Sequence, residues 1–189
     1  MNIALFASGT GSNVYNIIQQ FKSSDLINVV AVLCNKAGAG ALNHAKNAGI
    51  PTLTFSKDEF DNSINVEEFL AERKVDLVIL AGFLLKVPES LIDLYPNKII
   101  NLHPALLPDY GGKGMYGMNV HNAVIAAKEK KSGITIHLVN ERYDEGATIA
   151  QFECSLNESD TPQTLAQKVS VLEKSYFPKT IEEYILKIK

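Results

Sequence analysis

Two side chains near the middle of the chain, Asn101 and His103, have types and spacing that could do chemistry. They stand two residues apart in the apolar stretch "INLHPALLPDY" (100–110), and Pro104 follows them. Side chains two residues apart on a strand point to the same face. A side-chain amide can stabilise an oxyanion, and an imidazole can move a proton. The pair therefore predicts a site for oxyanion stabilisation and proton transfer, although such residues at a strand end can also simply satisfy nearby backbone groups.

Asp144, in the turn "NERYDEGA" (140–147), is the candidate partner of His103. A carboxylate beside an imidazole raises the pKa of the imidazole and fixes its tautomer. An Asp before Glu145 and Gly146 is equally typical of a plain turn. No serine or cysteine stands in a nucleophile elbow, so the sequence does not indicate covalent acyl-enzyme chemistry.

The glycine-rich segment "SGTGSN" (8–13) lies between an apolar stretch and an amphipathic helix. At this position backbone N–H groups and a helix N-terminus can hold an anion. Gly11 allows a tight turn, and Ser12 and Asn13 add donors. The segment favours a phosphate monoester, while a plain turn that needs glycine for a left-handed backbone would explain the same glycines.

A dinucleotide site fits this segment poorly. Val14 stands where the G-x-G-x-x-G pattern requires a small residue, and "CNK" (34–36) lacks the acidic residue that would hold a ribose. No Gly-Lys-Ser/Thr follows, so the P-loop pattern is absent as well.

Alternating strands and helices must position these residues. Apolar stretches predict strands at 2–7, 27–35, 51–55, 75–83 and 98–103, and helical spacing predicts helices at 12–24, 38–50 (with Gly49 as C-cap), 56–74 and 88–95. This order predicts an α/β fold: an open, twisted, mostly parallel sheet with helices on both faces.

The alternation of single strands and helices ends after the fifth strand. A helix is predicted at 115–131, with the basic run 128–131 as its solvated end, and strands are predicted at 133–140 and 147–156. The short connection between these strands predicts an antiparallel pair. A last helix begins after Thr161 as N-cap, with an apolar face formed by Leu165, Val169, Leu172 and Tyr176. We expect one domain over 1–189, with a phosphate-binding half at 1–100 and a catalytic half at 101–189.

Composition limits the classes of function. The chain has 189 residues and a net charge of −3, and it lacks the basic excess of a general nucleic-acid binder. No stretch approaches the twenty apolar residues of a membrane span. Cys34 and Cys154 lie in apolar runs, which predicts buried thiols in a reducing cytoplasm, and no spacing of Cys and His indicates zinc.

Four motifs, in this order, carry a resemblance to a known family: "SGTGSN", "LAGFLLKVP", "IINLHPALLP" and "ITIHLVNERYDEGATIAQ". From Met1 to about Tyr176 the chain resembles the folate-dependent formyltransferases, and among them the glycinamide ribonucleotide transformylases (phosphoribosylglycinamide formyltransferases). The resemblance implies a Rossmann-like formyltransferase fold. It also implies formyl transfer from 10-formyltetrahydrofolate to the amino group of glycinamide ribonucleotide in de novo purine (IMP) biosynthesis, through a tetrahedral intermediate and without a metal.

The resemblance also implies roles for the three residues with which this section began. Asn101 would donate a hydrogen bond to the oxyanion. His103, as imidazolium, would stabilise the same oxygen or give a proton to the leaving nitrogen. Asp144 would orient and charge His103 and relay a proton.

Further residues are implied on the binding side. The substrate would contact Gly11, Ser12, Asn13, Pro104 and Glu173, with the first three on its phosphate. The folate would lie against the apolar side chains of Leu84, Leu85 and Val87, under a turn that includes Asn140, Glu141 and Tyr143. Leu85 stands where family members often carry arginine.

Further expectations from the same resemblance concern neighbouring positions. They are a cis Leu107–Pro108 bond, a substrate contact by Lys113, and structural roles for His121 and His137.

Rival hypotheses stay open on the sequence alone. Transfer to another amine, such as an amino-sugar nucleotide, and a non-catalytic phosphoribosyl- or folate-binding module are the alternatives. A tRNA formyltransferase is disfavoured because the chain ends at Lys189, where such enzymes carry a further domain, and has an acidic balance. We expect small-molecule partners, no nucleic acid, no membrane, a monomer or homodimer, and a cytoplasmic location.

Overall fold

The computed structural model describes all residues from 1 to 189 and contains seven strands and seven helices. The strands are β1 (Asn2–Ala7), β2 (Asn28–Cys34), β3 (Thr52–Thr54), β4 (Leu77–Leu80), β5 (Ile99–His103), β6 (Lys131–Leu138) and β7 (Thr148–Ser155). The helices are α1 (Ser12–Phe21), α2 (Gly40–Asn47), α3 (Lys57–Asn62), α4 (Ile64–Glu72), α5 (Glu89–Leu94), α6 (Met118–Ala126) and α7 (Pro162–Ile188).

The strands form one sheet in the order β3-β2-β1-β4-β5-β6-β7. β1 pairs in parallel with β2 and β4, and β4 pairs in parallel with β5, whereas β6 and β7 are antiparallel. This confirms the predicted α/β fold and its antiparallel pair. The strand order reverses between β1 and β4, and ligands of open α/β sheets bind at such a switch point.

By contacts between Cα atoms the chain divides into two compact units, Met1–Asn101 and Leu102–Lys189. The first unit has the alternating strands and helices. β1 and β4 are buried along nearly their whole length, as expected for parallel strands covered on both faces. Four aromatic rings fill part of its core with centroid separations of 4.9 to 6.2 Å: Phe6, Phe55, Phe60 and Phe83.

The second unit is built on the β6–β7 hairpin, against which α7 packs. Thr135 of β6 stands opposite Gln151 of β7, and the register shifts between Ile136 and His137. Ile136 pairs with Ala150 and His137 with Thr148, so Ile149 is the extra residue of a β-bulge. α7 begins with the predicted Thr161 N-cap, which accepts a hydrogen bond from the backbone N–H of Thr164.

The helix predicted over 56–74 is wrong in one respect, because Ser63 divides it into α3 and α4. Ser63 has a left-handed backbone with φ of 55°, and its side chain is buried. Its Oγ contacts the carboxylate of Glu67 in α4 and lies 2.7 Å from Oγ of Ser90 in α5. The contacts of this buried hydroxyl with α4 and α5 stabilise the break between α3 and α4. No local sequence pattern predicts them.

Three smaller predictions also need correction. The basic run 128–131 is not a helix end: α6 stops at Ala126, and Lys131 opens β6, where its Nζ lies 2.8 Å from Oε1 of Glu153. Gly49 follows the C-cap, which is Ala48, and has a φ of +70°. Tyr176 does not join the buried face of α7 but stacks on Phe152, with ring centroids 3.8 Å apart.

Both cysteines are free, as predicted. Burial raises the pKa of the Cys34 thiol to about 11, and burial also raises the pKa of the half-buried Cys154. Both thiols are therefore protonated and unreactive at neutral pH. None of the helices combines the length and the apolar character needed to cross a membrane.

Candidate active site

In the first unit, the loops that follow β1 and β4 meet at the switch point of the sheet. Ser8 joins them: its backbone N–H donates to the carbonyl of Gly82 over 3.0 Å, and its Oγ accepts from the N–H of Leu84 over 3.0 Å. Ser8 is buried. Sequence reasoning missed it, although a hydroxyl at the end of a buried strand was a readable signal.

The glycine segment forms the N-terminus of α1. Gly11 is the N-cap residue, with a left-handed backbone (φ 79°, ψ 28°), and a Cβ there would lie 2.4 Å from Cα of Ala41. The glycine is therefore required by the close packing of α1 on α2. The helix start has no side-chain cap and no acidic residue in its first turn, so its electropositive end suits an anion. Ser12 is exposed and Asn13 is buried.

The apolar residues predicted to face folate differ in exposure. Leu84 is 43% exposed, Leu85 is half-buried, and Val87 is only 4% exposed. The side chain of Val87 is thus part of the protein core. Leu84 is the member of this group that presents a large apolar surface outside it.

Asn101 is the last residue of the first unit and the middle residue of β5. In the pairing of β4 with β5 it stands opposite Leu80. It is half-buried, and its position places an amide at the edge of the sheet where the parallel strands end.

In the second unit, the ring of His103 is almost fully buried, 3% exposed. Its Nε2 lies 2.8 Å from the carbonyl oxygen of Tyr110. Because a carbonyl oxygen only accepts, Nε2 carries the proton of this bond. Its Nδ1 faces Oδ2 of Asp144 at 3.6 Å, too far for a direct hydrogen bond but close enough for the carboxylate charge to favour the protonated ring.

Asp144 reaches this position through a left-handed backbone, with φ of 58°. Oδ2 accepts a hydrogen bond from the N–H of Gly112 over 2.8 Å, and Oδ1 lies 3.6 Å from Nε2 of His137. The carboxylate therefore sits between two buried imidazoles, His103 and His137. The structure brings the predicted pair His103 and Asp144 together.

The buried environment of this cluster shifts the pKa values of His103 and Asp144. Burial lowers the pKa of His103, and it outweighs the upward effects of the Asp144 charge and of the hydrogen bond to Tyr110. The resting imidazole is therefore neutral at neutral pH. For Asp144, burial would raise the pKa, but the nearby His137, the charge of His103 and the Gly112 N–H together lower it.

Two further histidines, His121 and His137, take part in this cluster. Nδ1 of His137 lies 2.8 Å from the carbonyl of Leu138 and donates to it. Burial lowers the pKa of His121, and the nearby His103 lowers it further. Both side chains are buried. The sequence marked these two histidines, but not the effect of His137 on the charges of His103 and Asp144.

The turn between β6 and β7 carries the residues predicted to close over folate. Oδ1 of Asn140 accepts from the N–H of Arg142 over 3.0 Å, which fixes the start of the turn. Glu141 is exposed, and Tyr143 is 42% exposed. At the far side, a Cβ on Gly146 would lie 1.7 Å from the carbonyl oxygen of Leu138, so only glycine fits where the chain returns.

The remaining predicted residues are Pro104, Glu173 and Lys113. Pro104 follows His103 and is half-buried, and Glu173 is half-buried on α7. Lys113 is exposed between two glycines with positive φ. The Leu107–Pro108 bond is cis, which confirms that expectation.

Two other features bear on where ligands could bind. No group of three or more His, Cys, Asp or Glu side chains is arranged to hold a metal ion. A cleft of about 400 Å³ opens between α1 and α2, next to Tyr15 and His44. None of the predicted site residues lines this cleft.

Residues 1–181 match a protein family described as formyl transferase. The chain is 41% identical over 174 residues to a chloroplastic phosphoribosylglycinamide formyltransferase of Arabidopsis thaliana, covering 88% of this chain and 59% of that protein. It is 33% identical over 187 residues to the phosphoribosylglycinamide formyltransferase of Bacillus subtilis, covering 96% and 93% of the two chains. The chain thus spans about three fifths of the length of the plant relative and nearly all of the bacterial one.

A solved structure agrees with the sequence matches. The phosphoribosylglycinamide formyltransferase of Bacillus halodurans superposes with a TM-score of 0.91 at 33% identity, covering 100% of this chain and 97% of that one. The corresponding structure from Anaplasma phagocytophilum has a TM-score of 0.90 at 32% identity, covering 99% and 88%.

Proposed function

The chain belongs to the formyl transferase family, and from that premise we propose that it is an enzyme that transfers the formyl group of 10-formyltetrahydrofolate to the amino group of glycinamide ribonucleotide. The relatives named above are phosphoribosylglycinamide formyltransferases, at 33% and 41% identity. The proposal places the chain in purine biosynthesis. Its partners are then two small molecules, and its location is the cytoplasm.

One observation carries the proposal: the buried imidazole of His103, held by the Tyr110 carbonyl on one side and facing the Asp144 carboxylate on the other. Formyl transfer to an amine requires a group that takes a proton from the attacking nitrogen and returns one to the leaving nitrogen. An imidazole that is neutral at rest can accept a proton at Nδ1. The carboxylate beside it then stabilises the imidazolium that forms.

The reaction assigns distinct steps to the polar side chains. The substrate amine attacks the formyl carbon, and the carbonyl oxygen becomes an oxyanion, to which Asn101 donates a hydrogen bond. His103 takes up a proton at Nδ1 and passes it to the folate nitrogen as the carbon–nitrogen bond breaks. Asp144 orients the ring and balances its positive charge.

Binding roles complete the proposal. Gly11, Ser12 and Asn13, at the uncapped start of α1, hold the phosphate of the nucleotide, and Pro104 and Glu173 contact the rest of it. Leu84 supplies apolar surface to the folate, Leu85 and Val87 support it, and the turn with Asn140, Glu141 and Tyr143 closes over the pterin. In this proposal 1–100 is the phosphate-binding half and 101–189 the catalytic half.

The test is to mix the purified protein with glycinamide ribonucleotide and 10-formyltetrahydrofolate and to follow tetrahydrofolate release by absorbance. We expect turnover that disappears when the nucleotide is left out. Turnover with an amino-sugar nucleotide in its place, or none while folate still binds, would contradict the proposed acceptor.

Variants test the assigned groups. His103→Ala should lower kcat by about 10³-fold, and Asn101→Ala by about 10²-fold, the scale for a lost proton-transfer group and a lost oxyanion donor. His44→Ala on α2 and Asn122→Ala, exposed on α6, are matched controls that should retain kcat within about twofold. A loss confined to KM in Asn101→Ala would assign that side chain to binding alone.

A further inference from the structure

The buried hydroxyl of Thr135 on β6 forms hydrogen bonds with the middle of the segment that links His103 to Tyr110. The Thr135 side chain is fully buried, and its Oγ1 donates to the carbonyl of Ala105 over 2.7 Å. The same oxygen accepts from the N–H of Leu107 over 2.9 Å. A short buried hydroxyl thus bonds to two backbone groups of a segment about thirty positions earlier in the chain.

Gln151, opposite Thr135 on β7, completes this network. Its Nε2 donates to Oγ1 of Thr135 over 2.9 Å and to the carbonyl of Leu107 over 2.9 Å. Directly opposite residues of an antiparallel pair project on the same face, which is why one amide reaches both acceptors. The amide has two N–H donors and both are used, and the hydroxyl has one donor and two acceptor positions, all occupied.

The network fixes the path of the chain between the two ends of the His103 contact. The segment leaves β5 at His103, is held at Ala105 and Leu107, and returns at Tyr110, whose carbonyl accepts the Nε2 proton of His103. The Tyr110 carbonyl can only accept a hydrogen bond, so this contact favours a proton on Nε2 of His103. With Nε2 protonated, Nδ1 is the nitrogen that faces Asp144.

From this geometry we propose that Gln151 is a positioning residue: through Leu107 and Thr135 it holds the Tyr110 carbonyl where it selects the Nε2–H tautomer of His103. The inference deepens the proposed function, because that tautomer leaves Nδ1 free to take the proton in formyl transfer. Gln151 itself touches none of the reacting atoms. Its side chain is exposed, so its replacement removes two hydrogen bonds without opening the core.

The test compares Gln151→Met and Gln151→Glu with the wild type. Methionine keeps the length and removes the donors, and glutamate keeps the shape but places acceptors against the Leu107 carbonyl. Nitrogen-15 NMR of the histidine rings, assigned with His103→Ala, reports the tautomer in the resting protein and needs no substrate. Gln163→Met, at an exposed glutamine of α7, is the matched control.

We expect the wild type and the control to show the Nε2–H tautomer of His103, and both Gln151 variants to show a mixture or the other tautomer. In the formyl-transfer assay, kcat of both variants should fall by roughly tenfold to a hundredfold, the scale for misplacing a catalytic group. KM for both substrates should change by less than about twofold. Thr135→Ser, which keeps the hydroxyl, should retain the tautomer and kcat.

An unchanged tautomer in both Gln151 variants would overturn the positioning role, whatever the activity. A changed tautomer with normal kcat would also overturn it, because the ring state would then not matter for turnover. If the wild type transfers no formyl group, the proposed function fails, and the NMR comparison still decides whether Gln151 sets the tautomer of His103.

Discussion

At the scale of single residues, opposing effects set the pKa of one buried imidazole, that of His103. Burial lowers the pKa of His103, while the charge of Asp144 and the Tyr110 carbonyl raise it. A free imidazole in water would be partly protonated near neutrality. The buried ring is instead neutral at rest yet remains next to a carboxylate that favours its protonated form, as a group that takes up and releases a proton requires.

Removing the Asp144 charge should lower the pKa of His103 further. Asp144→Asn keeps an acceptor for the Gly112 N–H but removes the negative charge 3.6 Å from Nδ1. The imidazolium then loses its stabilising partner, so the ring becomes harder to protonate. NMR titration of the His103 ring measures this directly. Asp109→Asn, at an exposed carboxylate of the neighbouring loop, is the control, and a pKa that rises or stays unchanged in Asp144→Asn would contradict the assigned interaction.

At the scale of elements, the start of α1 shows how a tight turn and a packing contact use the same glycine. Gly11 has a left-handed backbone and lies against the backbone of α2 at Ala41. Gly9, two residues earlier, has open space around the position of a Cβ and no positive φ. The sequence shows two glycines of one motif, and the structure requires glycine at the second.

Alanine at the two positions should therefore have unequal effects on stability. Gly11→Ala should lower the free energy of unfolding by at least about 2 kcal/mol, because it adds a backbone clash to an unfavourable φ. Gly9→Ala should change it by less than about 0.5 kcal/mol. Urea denaturation measures both, and equal losses would show that the close approach of α1 to α2 does not limit this position.

What the sequence predicted well is what its local patterns determine. β1 has the predicted bounds 2–7, and the short connection between β6 and β7 correctly indicated an antiparallel pair. Ser63 divides a predicted helix because its buried hydroxyl reaches Ser90 on another element. The Thr135–Gln151 pair escaped prediction for the same reason: cross-strand register decides which side chains meet, and no local pattern specifies it.

At the scale of the whole molecule, the buried histidines couple stability to pH. The folded-state pKa values of His103 and His121 are lowered from 6.5, chiefly by burial. Below that pH the unfolded chain binds more protons than the folded one. The two histidines therefore contribute fully to stability above the pKa that they have in the unfolded chain. This contribution is lost as the pH falls toward their lower pKa values in the folded protein. The lowered pKa of Asp144 acts in the same direction, but only at more acid pH, as its carboxylate is protonated.

The free energy of unfolding should therefore fall as the pH is lowered from 7.5 to 5.5. His121→Leu removes one of the two titrating rings and should make this dependence shallower. Asn122→Leu, at the exposed neighbouring position of α6, should keep the wild-type dependence. Urea denaturation at a series of pH values checks this, and a stability that rises on acidification would reverse the inferred sign.

The register of the β6–β7 hairpin has a consequence for how this chain can change over generations. A strand that slips by one residue turns all its side chains to the opposite face. Thr135 and His137 would then turn away together, and the partners of the Ala105–Leu107 segment and of Asp144 would be lost in one event. Single insertions and deletions in the β6–β7 hairpin should thus be purged by selection far more often than substitutions. In sequences that descend from this one, the residue types of the hairpin should therefore vary while its length stays constant.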